Sequence, residues 1–268
     1  MDLEFLSAYP NGPSTSDGPV KSPPLLFVHG AWQGAWCWND HFLPYFASRG
    51  YDAYALSLRG HGGSPSDRPL RWLRIRDYVA DVVKAVESLS RQPVLVGHSM
   101  GGFVVQKYLE TRSAAGAIFV ASVPPSGALG TAPRIALRVP AALVTAFLTL
   151  RLKPIVATPE RTRALLFTGD IETQSLRSVQ RRLQDESVLA FLDMLFLDVP
   201  AGPPQPVPAL VLGSDSDALI SPRATKETAR AFETEATMLS GLGHDMMLDP
   251  QWQEAADRIL SWLNQQRW

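Results

Sequence analysis

The apolar run Val94-Leu95-Val96, followed at once by Gly97-His98-Ser99-Met100-Gly101, constrains this chain more than any other feature. A short, continuously apolar run reads as a strand buried on both faces, and residues 102–109 after it read as a helix. The pentad between them fits G-x-S-x-G, the pattern of a strand that turns into a helix with almost no loop. Glycines two before and two after the serine let backbone pass where side chains would collide. Such a turn lifts the serine hydroxyl above the sheet and sets it at a helix N-terminus, whose N–H groups face developing negative charge. The pentad by itself is a common pattern, and its strand–helix context gives it weight.

The rest of the chain alternates in the same way. Residues 4–9 have strand character, and a Gly/Pro/Ser-rich loop follows over 10–24. Strands are expected at 25–28, 51–58, 93–96, 117–123, 209–212 and 236–239, and core helices at 76–89, 102–109, 222–232 and 251–264. Strands alternating with helices imply an α/β fold, a mostly parallel central sheet covered on both faces. Between 124 and about 200 strands vanish and helical pieces take over, notably 141–150 and 175–196, so this stretch reads as a helical insertion. The proline-rich segment 200–208 reads as the return linker.

Composition bounds the function. With 268 residues, 46% hydrophobic and 19% charged, the chain can bury a core of one large domain or of one domain with an insertion. A net charge of −1 excludes the broadly basic surface of a nucleic-acid binder. The lone cysteine, Cys37, excludes an intramolecular disulfide and a cysteine-based zinc site, which fits a reducing, cytoplasmic setting. The most apolar stretch, 139–150, is about 12 residues long against the roughly 20 that a membrane span needs, and residues 1–10 show no basic start leading into an apolar run.

Five motifs in order resemble the α/β-hydrolase family across nearly the whole chain. Leu25-Leu26-Phe27-Val28-His29-Gly30-Ala31 resembles the strand that ends in an oxyanion loop, and Arg59-Gly60-His61-Gly62-Gly63-Ser64 resembles the family's R-G-x-G-x-S loop. Gly97–Gly101 resembles the nucleophile elbow, the segment from Leu210 to Ile220 the strand and turn that carry the acid, and Gly243-His244-Asp245 the turn that carries the base. The order Ser, Asp, His along the chain is the family's order. The resemblance implies a core in two parts, 1–123 and 206–268, with a helical cap at 124–205.

A serine hydroxyl needs an adjacent base to become a nucleophile. Of the five histidines, His29, His61 and His98 sit inside the other motifs, where packing and backbone hydrogen bonding are the plain roles, and His41 has no motif around it. His244 follows a strand and is expected at the sheet edge where the elbow emerges, so it is the expected base. Asp217, ahead of Ala218-Leu219-Ile220-Ser221-Pro222, fits the acid's place better than Asp215, which stays open as the alternative. The resemblance further implies an oxyanion hole from the backbone N–H groups of Ala31 and Met100.

Together these features imply a capped serine esterase that forms an acyl-enzyme on a small-molecule ester and needs neither metal nor organic cofactor. The apolar insertion favours an apolar acyl or alkyl group, with Trp32, Phe147, Phe191 and Leu195 as expected pocket residues. From 134 to 182, nine Lys/Arg stand against three Asp/Glu, an excess that fits a solvated face or an anionic substrate or interface. Ser99 argues against the aspartate-dependent dehalogenases and epoxide hydrolases of the family, while Trp32 and Asp245 disfavour a hydroxynitrile lyase. C–C hydrolases, lactonases, thioesterases, perhydrolases and non-catalytic receptors remain open alternatives.

Overall fold

The computed structural model describes residues 2–10, 22–168 and 171–268. Most of the loop expected over 10–24 lies outside the described residues. Seven strands form one sheet: β1 (Phe5–Ala8), β2 (Leu25–Val28), β3 (Ala53–Leu56), β4 (Val94–His98), β5 (Gly116–Val120), β6 (Ala209–Ser214) and β7 (Ala236–Leu239), in the order β1-β3-β2-β4-β5-β6-β7. Only β1 runs antiparallel to its neighbour. Every residue of β2, β4, β5 and β6 is buried, as runs of Val, Leu, Ile and Phe require when helices cover both faces.

The core helices are α1 (Trp36–Asn39), α2 (Phe42–Ala47), α3 (Ile75–Ser88), α4 (Met100–Leu109), α10 (Pro222–Ala231) and α11 (Trp252–Gln265). α3 buries Ile75, Tyr78, Val82 and Ala85, one stripe at helical spacing. α10 opens where the Ser221 hydroxyl accepts the Ala224 N–H and Pro222 fits the first turn. α1 and α2 escape a periodicity reading because they have only four and six residues, and Pro44 interrupts the pattern.

Five further helices lie between β5 and β6: α5 (Ala132–Arg138), α6 (Pro140–Thr149), α7 (Pro159–Leu166), α8 (Thr173–Arg182) and α9 (Val188–Leu192), the last running into a π-helical turn over Asp193–Leu197. The single helix expected over 175–196 is therefore divided. Leu183 and Ser187 are extended, because the residues between them bond elsewhere. The Gln184 side chain bridges the Gly60 carbonyl (2.7 Å) and the Gly62 N–H (2.8 Å), and its backbone N–H donates to the Trp32 carbonyl (2.8 Å). Glu186 accepts from the Tyr78 hydroxyl at 2.8 Å and faces His61 Nε2 at 3.1 Å. These bonds hold the insertion on the loops after β2 and β3. The strand expected over 51–58 is trimmed to 53–56, and β4 runs on into the elbow as far as His98.

Candidate active site

Parallel strands in the register Val28–Gly97, Gly97–Phe119 and Val120–Leu212 bring the loops after β2, β4, β6 and β7 to one sheet edge. Between β4 and α4, Ser99 adopts φ 51° and ψ −115°, a region that L-residues seldom enter. Its N–H donates to the Val120 carbonyl (3.1 Å), and its own carbonyl accepts from Phe103 and Val123 (3.2 Å each), so the surroundings hold the strain in place. A Cβ on Gly97 would lie 2.6 Å from both the Gly101 carbonyl oxygen and the Gly102 Cα, and one on Gly101 would strike the Val28 carbonyl. Glycine is required at both positions for the turn to close.

Ser99 is half-buried and within reach of solvent, while His244 and Asp217 are buried. Ser99 Oγ lies 3.0 Å from His244 Nε2, and His244 Nδ1 lies 2.9 Å from Asp217 Oδ2. The other Asp217 oxygen accepts the N–H groups of Leu219 (2.7 Å) and Ile220 (3.0 Å), which fix the carboxylate. Arg134 of the insertion donates to the carbonyls of Asp217 (2.6 Å) and Ala218 (3.0 Å), clamping that turn. Asp215 points elsewhere: it accepts from Ser216 Oγ, Ser240 Oγ and the Gly241 N–H, and so fastens the neighbouring turn.

Burial alone would lower the His244 pKa, but the charge and hydrogen bond of Asp217 outweigh it and leave the pKa above 6.5. The order Ser–imidazole–carboxylate can move a proton off the hydroxyl and hold the resulting imidazolium. Met100 is the first residue of α4, so its N–H is one of those that a helix start leaves free. Gly30 approaches Ser99 so closely that an added Cβ would lie 3.1 Å from the Ser99 Cβ, which places the Gly30-Ala31 backbone beside the hydroxyl.

The other histidines are occupied. His29 Nε2 accepts the Leu58 N–H at 3.0 Å while its Nδ1 lies 2.8 Å from the Gly30 carbonyl, His61 lies between the Arg59 carbonyl and Glu186, and His41 stacks on Trp252 at 4.6 Å. Burial, reinforced by His244, holds the His98 pKa well below 6.5, and His98 Nε2 lies 3.1 Å from the His244 carbonyl.

Nitrogens of His98 and His244 and an oxygen of Asp245 lie within 4.8 Å of one another, a metal-like cluster. Both His244 nitrogens are engaged by Ser99 and Asp217 and His98 Nε2 faces a carbonyl, while His98 Nδ1 and Asp245 Oδ1 have no hydrogen-bond partner among the described residues.

Asp245 itself gave no signal in the sequence as a site residue. It is fully buried, Gln33 Nε2 donates to its Oδ2 (2.8 Å), and Gln33 Oε1 accepts the Gly30 N–H (3.2 Å). It thereby joins the turn after β7 to the loop after β2. Burial raises its pKa to about 7, the neighbouring His244 opposing this, and Oδ1 has no hydrogen-bond partner among the described residues.

Of the expected pocket residues, Trp32 is buried at φ 66°, and Phe191 and Leu195 are half-buried against the core. Phe147 departs from that expectation: it is 80% exposed, because Ala142 and Ala146 form the inward stripe of α6 and turn Phe147 outward. The excess cations of the insertion act mainly as ties: besides Arg134, Arg151 pairs with Asp185, and Arg182 pairs with Asp40 and covers the Trp36 ring.

A family model described as "Alpha/beta hydrolase family" matches residues 25–257. The chain belongs to that family. This alpha/beta hydrolase is 33% identical over 105 residues to a rice protein named Esterase PIR7B, covering 38% of this chain and 39% of that one. It is 30% identical over 125 residues to Epoxide hydrolase B of Mycobacterium tuberculosis, covering 46% of this chain and 33% of that one. The matched regions thus span well under half of either relative. Among solved structures, an esterase from Exiguobacterium antarcticum superposes with a TM-score of 0.74 at 14% identity, over 98% of this chain and 94% of that chain. A monoacylglycerol lipase from Paleococcus ferrophilus superposes with a TM-score of 0.67 at 19% identity, over 98% of both. At such identities the likeness is one of fold.

Proposed function

We propose that this alpha/beta hydrolase is a serine hydrolase that cleaves carboxylic esters carrying an apolar acyl or alkyl group, with the insertion acting as a cap. The observation that carries this reading is the continuous line Ser99 Oγ–His244 Nε2 (3.0 Å) and His244 Nδ1–Asp217 Oδ2 (2.9 Å) beside the Gly30-Ala31 backbone. His244 Nε2 takes the proton of Ser99 Oγ as that oxygen attacks the ester carbonyl. The backbone N–H groups of Met100 and Ala31 hold the tetrahedral oxyanion. The imidazolium, stabilised through Nδ1–H by Asp217, then protonates the leaving alkoxide, leaving Ser99 acylated. Water gives a proton to His244 and attacks the acyl carbon, and on collapse His244 returns that proton to the departing Ser99 Oγ, which releases the acid and restores the hydroxyl.

The similarity to a named esterase supports this reading. The similarity to a named epoxide hydrolase pulls less, because the family's epoxide hydrolases resemble it in fold but attack with a carboxylate, and a serine stands at this elbow. The test is turnover of p-nitrophenyl esters of graded chain length, with stoichiometric labelling of Ser99 by an organophosphonate. Ser99→Ala is expected to lower kcat by at least about 10³-fold and to abolish labelling. Unchanged turnover in that variant defeats the mechanism.

A further inference from the structure

Eleven large apolar side chains are exposed among the described residues, nine of them on the insertion, and five of those nine, Leu137, Val144, Phe147, Leu148 and Leu150, fall within residues 137–150. α6 carries the centre of this group. Only Ala142 and Ala146 are buried, while Val144, Phe147 and Leu148 are 59%, 80% and 76% exposed. The polar atoms on its outer side are satisfied internally: Thr145 Oγ1 donates to the Ala141 carbonyl (2.8 Å) and Thr149 Oγ1 to the Thr145 carbonyl (2.7 Å). α5 packs against α6 and adds Leu137, 83% exposed. At the other end, Leu150, Arg151, Asp185 and Glu186 share a shallow cleft with Leu70 and Arg71, and the Arg71 guanidinium lies 5.9 Å from the ring of the exposed Trp72.

The exposed cations beside this face are Arg71, Arg138 and Arg151, the last paired with Asp185, whereas Arg134 is turned inward on the Asp217 and Ala218 carbonyls. Residues 121–159 contain no Asp or Glu. An apolar face rimmed by arginines with a tryptophan at its edge has the make-up of a segment that lies in a lipid interface. Residues 128–138 and 140–149 together have the length and composition of a span, but they meet at 117°, and no single described helix is long and apolar enough to cross a membrane. Lying on the surface suits this geometry and spanning does not.

We infer that the outer face of α5 and α6 docks on a lipid surface bearing anionic headgroups, the apolar side chains entering the acyl boundary and the arginines meeting the phosphates. The docking does not depend on Ser99 chemistry, so it is measured in Ser99→Ala as well as in the unmodified chain. Flotation with phosphatidylcholine vesicles, with and without phosphatidylglycerol, is the experiment. Both proteins are expected to float with the vesicles, more tightly when phosphatidylglycerol is present. The double variant Leu137→Glu/Leu148→Glu, on exposed positions, is expected to lose at least about tenfold in vesicle affinity. Its turnover of a water-soluble ester without vesicles is expected to stay unchanged. No vesicle binding by the unmodified chain, or equal binding by the double variant, overturns the inference. So does a concentration-dependent dimer that the double variant dissolves, since the face is then covered by a second copy.

Discussion

Asp245→Asn isolates the cost of a buried carboxylate beside His244. Asn keeps the shape and an oxygen for the Gln33 amide, and removes only the ionisation. Burial raises the Asp245 pKa from 3.8 to about 7 in the folded chain. Between those values the unfolded chain has lost the proton and the folded chain keeps it, so folding stability falls as pH rises. At about 1.4 kcal/mol per pH unit, the interval amounts to about 4 kcal/mol, present in full below pH 3.8 and gone above about pH 7. The Asn variant lacks this slope. Urea unfolding of both proteins at intervals from about pH 5 to pH 8 reads the difference, in which ionisations common to both largely cancel. The variant is expected to gain on the parent steadily up to neutral pH and to level off above it. Parallel stability curves across the range would refute the reasoning, since they require Asp245 to titrate alike in both states.

Other outcomes follow from the same geometry. Because the Asp217 charge and hydrogen bond outweigh the burial of His244, the acid limb of kcat/KM for ester hydrolysis is expected at a midpoint above 6.5, read from a pH–rate profile. Asp217→Asn presents an amide to His244 Nδ1, disfavours the working tautomer, and is expected to lower kcat about 10⁴-fold, whereas Asp215→Asn leaves kcat essentially unchanged. Steady-state kinetics on the two variants separates the two carboxylates.

The features legible in the sequence are those set by short-range sterics. Gly97 and Gly101 stand where backbone passes backbone, and the continuous apolar run Leu25–Val28 matches its strand to the residue, as does the expected strand Ala236–Leu239. Asp217 was separable from Asp215 by its place ahead of an apolar run and Pro222, and the structure joins Asp217, not Asp215, to His244. Tertiary partners decided what was not legible. Leu183–Ser187 leaves the helical path because Gln184 bonds to the loop after β3 and Glu186 to Tyr78 of α3, each more than 100 residues away. Phe147 faces solvent because Ala142 and Ala146 form the inward stripe, and hydropathy alone does not distinguish the two sides of so apolar a helix. Asp245 reads as an ordinary charge until folding sets Gln33 beside it.

The three bonds from Gln184 have a mechanical consequence. A backbone tether to Trp32 and a side-chain bridge across Gly60 and Gly62 couple the insertion to the peptide that carries Ala31. A shift of this one joint therefore reaches the Gly30-Ala31 backbone beside Ser99 without passing through the sheet. Any exchange of the insertion for a foreign one must bring a residue with both amide atoms to this joint, or the peptide after β2 is left to find its own position.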